Sequence, residues 1–303
     1  MQNILIISIS FILGTILKFV KFKSINIAKI LNTLIIYVSL PSLILLNIPS
    51  LEISSDTLTP ILLPWAVTFI TSITTLLIAK RYNFDKKVTG SLLLVGVLGN
   101  TSFLGVPMIE LFFGKHYITY ALLYDQLGSF IILSTYGSVV AAIYSESSSF
   151  DIKIIIKKIA KFPPFISLLI SFLIRGVHYN HFIISVLTDL SSTLVPFALI
   201  SVGYQLHLKI DKSDRMPFFT AIFIKTIFSP LVALALCLYF TDMNTIAKVS
   251  VLEAGMGPMI TAAIMANIAG LSPKLTNAIV GYGILFSFFT LPLFYLLLQS
   301  GLF

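Results

Sequence analysis

Apolar runs recur ten times along the chain, at 4–20, 27–48, 58–79, 88–113, 118–144, 163–177, 182–206, 216–240, 246–269 and 275–298. An α-helix needs ~20 apolar residues to cross ~30 Å of hydrocarbon, so each run is a candidate span, the sixth being short. With 57% apolar and 11% charged residues and a mean hydropathy of +1.00, no soluble core could bury the runs. The chain is read as an all-α polytopic membrane protein. Met1-Gln2-Asn3 lacks a basic segment, so the first run is expected to be a span and not a secretory signal. The connections are short; the longest, 145–162, lies at the midpoint.

Charge orients the spans. Lys18, Lys21, Lys23 and Lys29 flank the first loop, and Lys80, Arg81, Lys86 and Lys87 the third. Lys153, Lys157, Lys158 and Lys161 fill the fifth; Lys209, Lys212, Arg215 and Lys274 mark the seventh and ninth. Even-numbered loops carry only Lys115, Arg175 and Lys248, with Glu52, Asp56 and Asp242 nearby. Basic loops stay cytoplasmic, which predicts both termini outside the cytoplasm of a cell-membrane protein. The net charge of +8 is spread in clusters, so nucleic acid is not an expected partner. A single cysteine, Cys237, excludes a disulfide framework and a cysteine-based zinc site.

Splitting the chain at the midpoint loop leaves five spans on each side, and five is odd. The second half must therefore enter the membrane in the opposite sense, as in inverted-repeat carriers. The expected units are 1–145, a cytoplasmic linker at 146–162, and 163–303. Pro41 in span 2 corresponds to Pro196 in span 7. Span 4 reads Gly99-Asn100-Thr101-Ser102-Phe103-Leu104-Gly105-Val106-Pro107-Met108-Ile109, and span 9 reads Glu253-Ala254-Gly255-Met256-Gly257-Pro258-Met259-Ile260. Each places glycines just ahead of Pro-Met-Ile. Proline removes a backbone donor and glycine lowers helix propensity, which predicts two broken helices; kinked packing helices are the alternative. Unwound backbone at membrane depth survives only where protein or a watered cavity covers it.

Gly99-Asn100-Thr101 running into Phe103-Leu104-Gly105-Val106-Pro107 resembles the signature of the auxin efflux carrier family, and Ala121-Leu122-Leu123-Tyr124-Asp125-Gln126 its fifth-span segment. Leu40-Pro41-Ser42-Leu43, Phe162-Pro163-Pro164, Pro196-Phe197-Ala198-Leu199 and Gly257-Pro258 are weaker matches. The resemblance implies ten transmembrane helices in two inverted five-helix repeats, with helices 4 and 9 broken and crossing. It implies a scaffold of helices 1, 2, 6 and 7, usually dimerising, beside a bundle of helices 3–5 and 8–10 that moves like an elevator. The short middle loop fits a microbial permease better than a plant auxin exporter.

Ionisable groups inside spans are costly and tend to mark pathways. Asp125 in span 5 and Lys225 in span 8 can pair, or stand apart as a proton-responsive site; a structural ion pair or a snorkelling lysine is the alternative. Lys225 can also face a substrate carboxylate. Asn100 matches the family's anion-contacting asparagine, against a purely capping role; its amide offers two donors. Thr101, Pro107, Gly257 and Pro258 are expected to shape the cavity, and Gln126 to line it. Asp125 and Glu253 are the candidates for coupling H⁺ or Na⁺, although Glu253 can equally bond a neighbouring helix. Asp189 is expected in a helix-to-helix hydrogen bond, and Glu110 at the water-facing end of span 4. His116, His178, His181 and His207 sit at span ends and make a poor metal site.

The leading expectation is a secondary active transporter of a small carboxylate, working by alternating access, with no cofactor, catalytic residue or metal. No G-x-x-x-x-G-K-[ST] run is present. A sodium-coupled carrier of the related bile-acid type is the alternative; a non-transporting membrane sensor is another. An intramembrane protease is disfavoured, since Gly281-Tyr282-Gly283 is followed by Ile284 and not aspartate.

Overall fold

The computed structural model describes residues 2–20, 26–51, 54–145, 152–177, 179–206, 208, 210 and 214–300. Among them every regular element is helical. In chain order these are α1 (Gln2–Leu17), α2 (Ile27–Ser50), α3 (Ser55–Arg81), α4 (86–96), α5 (Thr101–Phe113) and α6 (Lys115–Tyr144). Then come α7 (Ile152–Ala160), α8 (Pro163–Leu173), α9 (His181–Gln205), α10 (Arg215–Phe240), α11 (Thr245–Ala254), α12 (Ile260–Ile268) and α13 (Pro273–Gln299). Six of them, α2, α3, α6, α9, α10 and α13, are long and apolar enough to cross a membrane; α5, α8 and most of α1 are shorter apolar helices. The molecule is a multi-pass membrane protein.

Large apolar side chains cover its outside. Phe69 in α3, Leu173 in α8, Phe182 in α9, Tyr239 in α10 and Phe289 in α13 are all exposed, a surface that hydrocarbon satisfies and water does not. Buried hydroxyls bond back to carbonyls one turn earlier, as Thr71 does to Val67 (2.7 Å), Thr226 to Ile222 (2.8 Å) and Ser250 to Ile246 (2.9 Å). Polar ties also join helices. Ser39 on α2 meets Thr193 on α9 (2.7 Å), and Tyr136 on α6 donates to the Leu93 carbonyl of α4 (3.1 Å).

Helices α1, α2, α8 and α9 pack on one another, while α3 packs on α6, α10 and α11, and α13 on α10 and α12. Gly14 and Gly203 bring α1 and α9 into close approach: a Cβ at Gly203 would stand 3.0 Å from the Thr15 nitrogen, and one at Gly14 2.8 Å from the Ile200 carbonyl carbon. Wide π turns interrupt several helices. Those at Ile35–Ser39, Thr101–Gly105 and Ile224–Phe228 each end two residues before a proline, Pro41, Pro107 and Pro230. A proline ring clashes with the carbonyl four residues back, and widening that turn moves the carbonyl aside.

Within the expected linker, Ile152–Ala160 form a helix on which Lys153, Ile154, Ile156 and Lys157 are exposed. One local expectation changes. Asp189 is exposed, and the tie between α9 and α2 comes from Thr193 instead. His178, His207, Lys21, Lys23, Glu52, Lys209, Lys212 and linker residues 146–151 lie outside the described residues.

Candidate functional site

Two helix interruptions lie against each other at the centre of the molecule. One, at 97–100, separates α4 from α5; the other, at 255–259, separates α11 from α12. Gly99 and Pro258 form an antiparallel bridge, with Asn100 N donating to Gly257 O (2.8 Å) and Met259 N to Leu98 O (2.9 Å). Each break thereby satisfies backbone groups that its own helix has released. Gly99, Asn100, Gly257 and Pro258 thus form the joint itself, and Pro258 is wedged against Gly283 of α13.

Side chains complete the joint according to helix polarity. Asn100 caps α5, its Oδ1 accepting from Phe103 N (3.3 Å), while its Nδ2 is buried with no protein acceptor. Asp125, from a π turn of α6, sits at the same helix start. Its Oδ1 accepts from Thr101 Oγ1 (2.5 Å) and Ser102 Oγ (2.6 Å), and its Oδ2 from Gln126 Nε2 (2.6 Å). A carboxylate there lies at the positive end of the helix dipole. Lys225, from the π turn of α10, goes to the opposite ends. Its ammonium donates to Val97 O (3.3 Å), Ala254 O (2.9 Å) and Ser229 Oγ (3.4 Å). Asp125 and Lys225 therefore do not bond each other: three neutral donors hold the carboxylate, and two carbonyls and a hydroxyl hold the ammonium.

Glu253 stands one residue before the end of α11, packed so closely on Gly105 that a Cβ there would stand 2.7 Å from Oε1. Both of its carboxyl oxygens are buried without a hydrogen-bond partner. Asp125 is 1% exposed, Lys225 2% and Glu253 0%, so three ionisable groups share an interior reached by little water. Two carboxyls and one ammonium do not balance when all are charged, and an uncompensated buried charge is strongly unfavourable. Protonation of one carboxyl would neutralise the set, as would a bound metal ion.

One small cavity adjoins this joint, and a larger one lies apart from it, lined by none of the residues of the two breaks. Thr101, Tyr124, Ser129, Lys225 and Glu253, with Thr68 of α3, line the first, of about 20 Å³, room for about one water. A second, of about 580 Å³, lies between α5 and the α1, α2 and α9 group, bounded by Pro107, Glu110, Lys115, Asn47, Ser191, Ser192 and Pro196. That volume suits a small organic ligand. Thr101, Lys225 and Glu253 thus face the small cavity, Pro107 the large one, and Asp125 and Gln126 join through hydrogen bonds. Sequence reasoning passed over Ser102 and Ser229. Ser102 stands inside the span 4 motif and Ser229 one turn after Lys225, spacings that mark them only once their partners are known.

A family model described as membrane transport protein matches residues 2–295. The chain belongs to that family. Two archaeal relatives carry the description uncharacterized transporter. One, from Methanocaldococcus jannaschii, is 29% identical over 284 residues, covering 91% of each chain. The other, from Methanothermobacter thermautotrophicus, is 27% identical over 303 residues, covering 96% of each. The auxin efflux carrier resemblance thus holds along essentially the whole sequence, and membership makes this a transporter.

Proposed function

We propose that the protein is a secondary active carrier of a small organic anion, coupled to protons. The observation that carries this reading is the paired helix breaks, which leave one buried amide N–H, on Asn100, and one bare carboxyl, on Glu253, at the same joint. Facing half-helices present N–H groups and positive dipole ends to an anion, and carbonyls to a cation. The reading takes the ten spans as two inverted repeats. The scaffold is α1, α2, α8 and α9, assembled as a homodimer in the cell membrane with both termini outside. The moving bundle is α3–α6 and α10–α13. The 580 Å³ cavity lies where these two groups meet, the position at which an elevator exposes its substrate. Membrane potential favours export of an anion, whereas uptake needs a co-transported cation.

In that scheme Asn100 donates to the substrate carboxylate, Thr101, Pro107, Gly257 and Pro258 shape the joint, and Gln126 orients Asp125. Glu253 accepts the proton that offsets the second buried carboxyl. Sodium in place of the proton is the second reading, favoured by the same unpartnered carboxyl oxygens.

The test is thermal stabilisation of detergent-purified protein by a panel of mono- and dicarboxylates and aromatic acids. A ligand at 100 times its Kd stabilises by about 2.7 kcal/mol. Asn100→Asp keeps an oxygen to cap Phe103 N and replaces the free donor with a repelling acceptor. Because it adds a carboxyl to a buried set already in excess of negative charge, it is expected to melt below the parent, and acids that raise the parent's melting point should no longer raise its own. An unchanged affinity removes Asn100 from the site, and a panel without any effect on the parent defeats the anion assignment.

A further inference from the structure

The contacts of Lys225 are unusual for a cation buried in a membrane protein. Its three partners are oxygens without formal charge, Ala254 O, Val97 O and Ser229 Oγ. Ala254 is the last residue of α11, and Val97 follows the last turn of α4. Both carbonyls belong to helix ends, where the ladder of internal bonds stops and the dipole is negative. One ammonium therefore closes two half-helices at once. The fit is tight, since a Cβ on Gly99 would stand 3.1 Å from the lysine nitrogen.

Carbonyl and hydroxyl oxygens converging at broken helices, with a carboxyl beside them, are the donor set that carriers offer to an alkali cation. Glu253 supplies that carboxyl, one residue before Ala254 and buried without a hydrogen-bond partner. Here the oxygens are already occupied by part of the chain. We infer that Lys225 is a tethered resident cation: its ammonium fills the position that a free sodium ion would take between the two half-helices, and so makes the carrier independent of sodium. The residue is then a determinant of ion specificity and not a substrate contact. Its place behind the joint, in the wall of the small cavity and not the large one, agrees with that role.

The inference rests on the carrier reading, and specifically replaces its sodium variant. Its test needs no organic substrate, so an inert acid panel and a wrong assignment of Lys225 are separate failures. Binding of radioactive sodium to the purified full-length chain is measured for the parent, Lys225→Ser and Lys225→Met, with melting followed in sodium chloride and in choline chloride at equal concentration. Serine removes the ammonium and leaves room at the oxygens; methionine removes the charge and keeps most of the bulk.

The parent is expected to bind no saturable sodium and to melt alike in both salts. Lys225→Ser is expected to bind at least tenfold more sodium than the parent and to melt several degrees higher in sodium than in choline. Lys225→Met is expected to bind far less than the serine variant. A serine variant that survives purification only in sodium supports the inference equally. Saturable sodium binding by the parent overturns it, and that arm requires no variant to fold. A serine variant that folds without any sodium response also overturns it, as does one that folds in neither salt, since sodium should then refill the vacated oxygens.

Discussion

Removing the charge of Asp125 and removing its hydrogen bonds should have very different consequences. Three donors converge on this carboxylate, from Thr101 (2.5 Å), Ser102 (2.6 Å) and Gln126 (2.6 Å). In Asp125→Asn the retained oxygen still accepts both hydroxyls, while the introduced N–H₂ faces the Gln126 amide. Gln126 Oε1 has no partner in the parent, so turning that amide over converts a lost bond into a new one. All three contacts survive as neutral hydrogen bonds, weaker than charged ones by about 0.5–2 kcal/mol each, and the cost of holding a desolvated carboxylate disappears. The two effects oppose each other, and the net change is expected within about 2 kcal/mol.

Asp125→Ala leaves the same three donors aimed at a void, at about 1–3 kcal/mol for each that finds no substitute. Even with two hydroxyls partly rescued by nearby carbonyls, alanine should be about 3 kcal/mol worse than asparagine. At roughly 2–4 °C per kcal/mol, the two variants should melt at least about 6 °C apart. The assay is the unfolding midpoint of detergent-purified protein, with Asp125→Asn combined with Gln126→Leu as the control that blocks the amide turnover. If alanine and asparagine melt together, or if the Gln126 change costs no more in the asparagine background than alone, the network is not what holds this corner.

The same charge arithmetic extends to coupling. With Asp125→Asn the buried set becomes one carboxyl and one ammonium, which balance without an added proton, so the pH dependence of reconstituted transport should flatten; an unchanged profile makes Asp125 structural. Glu253→Gln mimics the protonated carboxyl and breaks no hydrogen bond to it, so the fold should persist while proton coupling is lost. A parent-like pH profile in that variant moves the proton elsewhere. Gly203→Ala pushes a methyl group into the α1 backbone near Thr15, and should cost about 1–3 kcal/mol while leaving ligand affinity intact. A melting midpoint equal to the parent's would show that α1 and α9 are not held by that close approach.

Local chemistry determines much of this protein independently of any tertiary contact. Run length marks membrane helices because each must satisfy its own backbone within ~30 Å of hydrocarbon. Gly99, Gly257 and Pro258 mark the interruptions because glycine and proline act on the few residues beside them, and the observed breaks at 97–100 and 255–259 fall at those residues. Asn100, Thr101, Asp125, Gln126, Lys225 and Glu253 were legible as candidates because polarity inside an apolar run is a local anomaly. Their partners were not. Lys225 could be drawn with equal ease toward Asp125 or a substrate carboxylate, and the fold gives it instead to carbonyls 128 and 29 residues away. Helical periodicity carries no information about which atom of a distant span lies opposite, since that depends on how whole helices pack. Only that packing laid one break against the other, left Glu253 without a hydrogen-bond partner beside Gly105, and opened the larger cavity against the α1, α2 and α9 group.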